Sequence, residues 1–273
     1  MCVMTKKELP QNLSINNGIP KPDVPLEIMD SMPRKGTSKI RPIIDDKLRI
    51  PEVDNALSRP RLIDLLARAE TAAGATVLCG RTGTGKTLLA AEFCARHKDP
   101  VWYSIEPSDT NWDSFSAYLI AAMFGKDAAR EIAEQRMTGD VDQAYIAQFL
   151  TDCMARLQNE RTENRLIVLD NIHHLYDAGW FPDFFNQLIP FSAVSNVHAL
   201  MLCRTKPRLP LWRLRSKQML NVIDENVLAV TENETLGLCS MLGLRADAAA
   251  QSHLRSSGRI SHLLESLQQI SVF

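Results

Sequence analysis

The chain has 273 residues, 45% of them hydrophobic, with 31 Lys and Arg against 32 Asp and Glu for a net charge of -1. That size suits one sizeable core with a small accessory domain, and the near-neutral balance gives no whole-molecule attraction to nucleic acid. No apolar run approaches the roughly 20 residues a membrane-spanning helix needs, and the opening MCVMTKKELP carries no signal-peptide core, so no membrane contact and a cytoplasmic location are expected.

From Lys6 to about Ile44 the chain is rich in Pro, Asn, Ser and Lys/Arg, with a basic cluster at Arg34, Lys35, Lys39 and Arg41. Too few apolar residues recur there to bury anything, so residues 1–45 are expected to form a flexible, solvated tail. Order is expected from near Lys47. The following segment KLRIPEVDNALSRPRLIDLLARA ends in a helix with Pro60 near its start and an apolar face of Leu62, Leu65, Leu66 and Ala69.

Next comes the apolar run Ala75 to Cys79, a first strand, followed by GRTGTGKT over Gly80 to Thr87. This is a complete G-x-x-x-x-G-K-T phosphate-binding loop. Its glycines let the backbone wrap an anion, and the amides opening the next helix point at it with the positive end of the helix dipole. Lys86 is placed on the β- and γ-phosphates of a nucleotide, and Thr87 Oγ on Mg²⁺. Gly80, Arg81, Thr82, Gly83, Thr84, Gly85 and Leu88 complete the nucleotide contacts, and Leu88 to His97 reads as the loop helix.

Val101 to Ile105, VWYSI, alternates and carries aromatics, the mark of a second strand. Glu106 and Asp109 follow at its carboxyl end, where open parallel sheets place their chemistry. Asn111 to Phe124 and Val141 to Gln158 read as helices; Ile146, Phe149, Leu150, Cys153, Met154 and Leu157 form a core stripe in the second. Arg165 to Asp170, RLIVLD, reads as a strand buried on both faces that ends in an acid, and Asp170 is the second metal anchor. Asn171 follows where ATPases of this architecture often carry a second acid. A neutral amide orients water but cannot take its proton, so turnover is expected to be slow unless Glu106 or Asp109 reaches in. His173 and His174 stand next, as γ-phosphate contacts or as capping residues.

Trp180 to Ile189 reads as a helix, Val197 to Cys203 as a fourth strand, and Arg204 at its end as a cation sensing the γ-phosphate. Arg208, Arg213 and Arg215 are expected on solvated faces. Gln218 to Ile223 and Val227 to Val230 are expected to add a further strand. Glu232 to Gly243, Ala246 to Ser256 and Arg259 to Gln269 read as three helices, a small lid. The six cysteines, Cys2, Cys79, Cys94, Cys153, Cys203 and Cys239, lack C-x-x-C spacing and read as reduced thiols with no metal site. The fold class expected is α/β: a mostly parallel sheet flanked by helices over 46–230, with the helical lid over 231–273.

Together LSRPRLIDLL, GRTGTGKT, WYSIEPSDTNWDSFSAYLIAAM, VLDNIHHL, LCRTKPRLPLWRLR, ENETLGLCSMLG and SSGRISHLLESL resemble the nucleotide-binding region of STAND ATPases. The likeness is to the MalT-like branch of the large ATP-binding LuxR-type transcription activators, and it runs from about Lys47 to Leu267. It implies that Lys86 and Thr87 bind phosphate and Mg²⁺, that Asp170 is the Walker B acid, that Arg204 is the sensor arginine, and that Arg59 or Arg61 lies near the nucleotide. Asn171 replaces the family's second Asp, and Arg259-Ile260 stand after Gly258 where relatives commonly have Trp and often Pro. The family's sensor superhelix and helix-turn-helix are not seen, so direct DNA binding is not implied.

The function expected is an ATP/ADP switch with Mg²⁺ and weak hydrolysis, read by an unknown protein partner or by nucleotide-dependent homo-oligomers. A helper ATPase assembling on DNA and a non-hydrolysing nucleotide scaffold remain open beside it. A GTPase is disfavoured by the lack of N-K-x-D, and a small-molecule kinase by the lack of an acceptor-site acid.

Overall fold

The computed structural model describes residues 42–53, 57–134, 141–160 and 165–271; most of the expected tail lies outside them. Five strands, β1 (Ala75–Cys79), β2 (Val101–Ser104), β3 (Arg165–Asp170), β4 (Val197–Cys203) and β5 (Leu220–Ile223), form one sheet in the order β2-β3-β4-β1-β5. Every pairing is parallel. Parallel strands need crossovers, and crossovers place helices on both faces, so the strands read as unbroken apolar runs.

Side chains alternate strictly across this sheet. Leu166 and Val168 of β3 face α1 (Pro60–Ala72) and α2 (Lys86–Cys94), where Leu62, Leu66, Leu89 and Phe93 close one core with Leu78, Trp102, Leu200 and Leu202. Ile167 and Leu169 face the other way, toward Phe115 and Leu119 of α3 (Trp112–Phe124), Ile146 and Leu150 of α5 (Gln143–Glu160), and Phe184 and Phe185 of α6 (Phe181–Val194). By the same parity Asp170 stands on the α2 face, which brings it to the phosphate loop.

A third, separate core joins α9 (Glu232–Met241), α10 (Ala246–Ser256) and α11 (Ile260–Ser271) through Val230, Leu238, Cys239, Ala249, Leu263 and Leu267. Among the described residues no helix is long and apolar enough to cross a membrane, and the five described cysteines are unbridged and buried.

Several elements depart from the sequence reading. The loop helix starts at Lys86 rather than Leu88 and stops at Cys94 rather than His97, because Gly85 at φ 83° turns the loop directly into its first turn. A helix α4 (Lys126–Glu134) follows the break at Gly125 and was not foreseen. Helix α6 runs on through Pro190 to Val194. Proline removes one main-chain bond, to the carbonyl of Asn186, a residue exposed to water that can replace the partner.

The last strand begins only at Leu220, after α7 (Leu211–Ser216) and Gln218 at φ 56°, while Val227 lies in a short helix, α8 (Glu225–Leu228), and not in a strand. Order also begins before Lys47. Ile44 N donates to Tyr118 Oη at 3.2 Å, and Asp45–Leu48 form a 3-10 turn against the edge of the sheet.

Candidate functional site

The loop from Gly80 to Thr87 leaves the carboxyl end of β1 and enters α2, with Gly83 and Gly85 both at φ 83°. Only glycine adopts that conformation without strain, and the turn it makes aims successive amides into one concavity. Lys86 Nζ donates to the loop's own carbonyls, Gly80 O at 2.5 Å and Arg81 O at 3.0 Å, and to Thr84 Oγ1 at 3.2 Å. Burial lowers the Lys86 pKa, an effect that nearby Asp170 partly offsets.

Thr87 Oγ1 donates to Asp170 Oδ2 at 3.0 Å across 83 residues of sequence. Asp170 is 3% exposed, and burial raises its pKa against the pull of Thr87, the Asn171 amide and Lys86. A hydroxyl and a carboxylate facing each other beside an ammonium form the donor set that Mg²⁺ and a polyphosphate require, so the residues fit that group.

The rim of the site is cationic. Arg204, exposed just past β4, and Lys86 both act on His173; burial comes first, then His174, Arg204 and Lys86, and together they push its pKa down to about 4. Among the described residues neither ring nitrogen of His173 has a hydrogen-bond partner. Asn171 sits at φ 61°, at the turn between β3 and the 3-10 segment Ile172–Leu175, and its side chain makes no cap. Of the two acids after β2, Asp109 is buried and accepts Lys47 Nζ on both oxygens at 2.9 Å, so it is spent on structure.

Sequence reasoning missed what holds the loop from outside. Glu225 accepts the Arg81 amide at 3.1 Å and Arg81 Nε at 2.7 Å, which turns that side chain outward. From the C-terminal helices, Arg259 Nη2 donates to Thr82 O at 2.8 Å and Ser261 N to Gly83 O at 3.1 Å, while Ile260 packs against Gly85. Leu88, on the first turn of α2, is exposed.

Arg59 Nη2 bonds Leu228 O at 2.7 Å, Ala229 O at 3.1 Å and Glu234 Oε2 at 3.2 Å, whereas its buried Nε and Nη1 have no partner among the described residues. Nη1 lies 3.9 Å from where a Cβ on Gly85 would stand. Arg61, further out, is taken up by Val227 O, Ala229 O and Glu234. None of these long-range contacts has a local sequence pattern; the one available signal was the T-x-x-E capping box at Thr231 and Glu234.

Residues 69–205, half of the chain, match the family described as an AAA domain. The chain is 29% identical over 221 residues to the HTH-type transcriptional regulator MalT of Vibrio cholerae serotype O1, which covers 78% of this chain and 23% of that protein. It is 26% identical over 196 residues to the regulator of the same name in Serratia proteamaculans, covering 70% and 21%. The chain thus spans 21 to 23% of the length of these relatives. Among solved structures, the Walker-type ATPase PABY2304 of Pyrococcus abyssi is similar in fold, with a TM-score of 0.52 at 8% identity over 80% of this chain and 69% of that one.

Proposed function

Because the chain belongs to the AAA domain family of P-loop ATPases, we propose that it is an ATP/ADP-dependent switch of the STAND type with slow hydrolysis, which acts in transcriptional regulation or signalling through a partner. One observation carries this reading: the helices beyond β5 grip the same loop that a nucleotide's phosphates would occupy, through Arg259 on Thr82 O and Ser261 N on Gly83 O. Any change in the loop on exchanging ATP for ADP is therefore felt directly at the N-terminus of α11. Differential affinity for the two nucleotides is all a ligand needs to shift a two-state equilibrium.

In this reading the loop amides and Lys86 bind the phosphates, while Thr87 and Asp170 hold Mg²⁺. The metal, when bound, neutralises charge on the phosphate oxygens. Arg204 supplies a further positive charge at the rim. Asn171 presents an amide where an acid would accept a proton, so hydrolysis is slow and the ATP state persists. Titration calorimetry with Mg²⁺ and ADP or ATP, run alongside light scattering, tests this. Binding that Lys86→Ala removes, a size or shape change between the two nucleotides, and faster turnover in Asn171→Asp are the expected results. A well-folded sample that takes up no adenine nucleotide would sink the reading.

A second reading, an ATPase that assembles on DNA, is favoured by one surface. Arg204, Lys206, Arg208, Arg213, Arg215 and Lys217 follow one another without an acid, and Trp212 among them is 66% exposed. Turnover stimulated by DNA and lost with added salt would select it.

A further inference from the structure

The chain carries no acid between Asp183 and Asp224, and within that span Arg204, Lys206, Arg208, Arg213, Arg215 and Lys217 are all exposed. Two of these cations are committed. Arg204 stands at the rim of the nucleotide site, and Lys206 pairs with Asp224 at 2.7 Å. Arg208, Arg213, Arg215 and Lys217 pair with no carboxylate among the described residues.

The backbone beneath them is anchored. Pro207 is buried, and Leu209, Leu211, Leu214 and Met219 pack against the larger core. Leu211 and Leu214, three residues apart, turn one side of α7 inward, so Trp212, Arg213, Arg215 and Ser216 take the outer side. Trp102, Trp112 and Trp180 are buried, whereas Trp212 is 66% exposed. An indole left in water forgoes one of the largest apolar burials a side chain can offer. The Arg213 guanidinium lies 5.4 Å from the centre of that ring, a cation-π contact that orients it while most of it stays open to solvent.

Charge and ring together select a ligand. Arginine forks match the oxygens of a phosphate, and a flat exposed aromatic stacks on a nucleobase. An acidic peptide would use the charges alone. In a duplex the base faces are covered by their neighbours, so a ring on a six-residue helix reaches one only where the base is unpaired.

We propose that the α7 surface binds single-stranded nucleic acid, with Trp212 stacked on a base and Arg208, Arg213, Arg215 and Lys217 on the phosphates. This rests on the second reading above, to which it adds the surface and the class of ligand. The surface adjoins the phosphate loop: Asp224, the partner of Lys206, is followed by Glu225, which holds Arg81.

The test uses the full chain without nucleotide and a fluorescent oligothymidine of about 20 nucleotides, read by anisotropy and by quenching of tryptophan emission. Contacts from these cations predict that log affinity falls against log salt with a slope of about -3, and that Arg208→Gln with Lys217→Gln halves it to about -1.5. Trp212→Ala should weaken binding about tenfold and remove the quenching, while Trp212→Phe should keep most of the affinity. The matching duplex should bind at least about tenfold more weakly. ADP affinity should be unchanged in every variant.

Failure to bind the single strand, binding that Trp212→Ala leaves intact, or equal affinity for the duplex overturns the proposal. So does a poly-glutamate that binds as tightly with the same dependence on Trp212, because it assigns the surface to an acidic protein partner. If Trp212→Ala is poorly folded by circular dichroism, the Arg208 and Lys217 variant decides: an unchanged salt slope overturns the proposal. A strand bound through α7 that leaves ATP turnover unchanged removes the DNA-assembly reading and keeps this site. Turnover stimulated by DNA equally in wild type and in both variants keeps that reading and overturns this site.

Discussion

Gly83 shows how tightly one residue couples the loop to the C-terminal helices. Its φ of 83° is open to glycine, and a Cβ built there would lie 2.0 Å from Ser261 Oγ. Gly83→Ala therefore meets two penalties, about 1–2 kcal/mol of left-handed backbone strain and a collision with α11. Nucleotide affinity should fall by at least about tenfold, and Ser261→Gly should recover the part due to the collision. Full loss in both the single and double variants would place all the cost in the backbone.

At this scale the sequence was legible where a motif fixes the spacing, as with the phosphate loop and Asp170, which the structure brings together through Thr87. It was silent on Glu225, Arg259 and Ser261, because their contacts with the loop span 144 to 178 residues and leave no periodic trace.

Whole elements were legible when one force decided them. Strands β1, β3 and β4 match their expected bounds because parallel strands buried on both faces are continuous apolar runs, a pattern no surface helix shares. Val227 to Val230 looked equally apolar, yet Val227 and Leu228 went to helix α8, where Glu225 sits in the first turn and is held by Arg81, and Ala229 and Val230 lie beyond its end outside any strand. There a tertiary ion pair and an acidic helix start override strand propensity. Helix α6 passes Pro190 because packing of Phe184, Phe185, Leu188 and Ser192 outweighs one lost bond.

The join between α1 and α9 carries its own prediction. Glu234 is 10% exposed and takes both Arg59 and Arg61 while capping α9 through the Thr231 amide at 2.9 Å. Removing the acid leaves the Arg59 guanidinium buried without its counter-charge, so Glu234→Ala should cost about 3 kcal/mol in urea unfolding. Glu234→Gln, which keeps the cap, should cost less. Equal losses would mean that the cap contributes nothing, and no loss in Glu234→Gln would mean that the ion pairs contribute nothing.

The whole molecule is a sheet with two ends: the carboxyl end carries the phosphate loop and Asp170, and the amino end carries a buried acid-sensitive group. His198 opens β4 at 2% exposure and sits 3.0 Å from the Ala73 carbonyl, to which a neutral ring donates through Nδ1. Burial lowers its pKa to about 4 from 6.5, against the opposite pull of Glu70 and the Ala73 carbonyl. Between those values the unfolded chain binds a proton that the folded chain refuses, so stability rises with pH across that window. The shift corresponds to about 3 kcal/mol lost on acidification from 6.5 to 4.

The adjacent His97–Glu70 pair, at 3.0 Å, acts in the other sense at one edge. Its hydrogen bond to Glu70 raises the His97 pKa, a contribution full below 6.5 and lost as pH rises through the folded value. Glu70 is pushed up by burial yet held lower overall by His97, so its share is present above 4.5 and lost below its folded value. The pair therefore holds between those limits while His198 weakens the fold, and His198 shares the acid slope with His173, whose pKa burial also lowers to about 4. His198→Gln should reduce the slope of the stability profile from pH 6.5 to 4 in denaturant titrations at each pH, leaving nucleotide affinity at neutral pH unchanged. An identical slope in wild type and variant would assign the acid sensitivity to other groups.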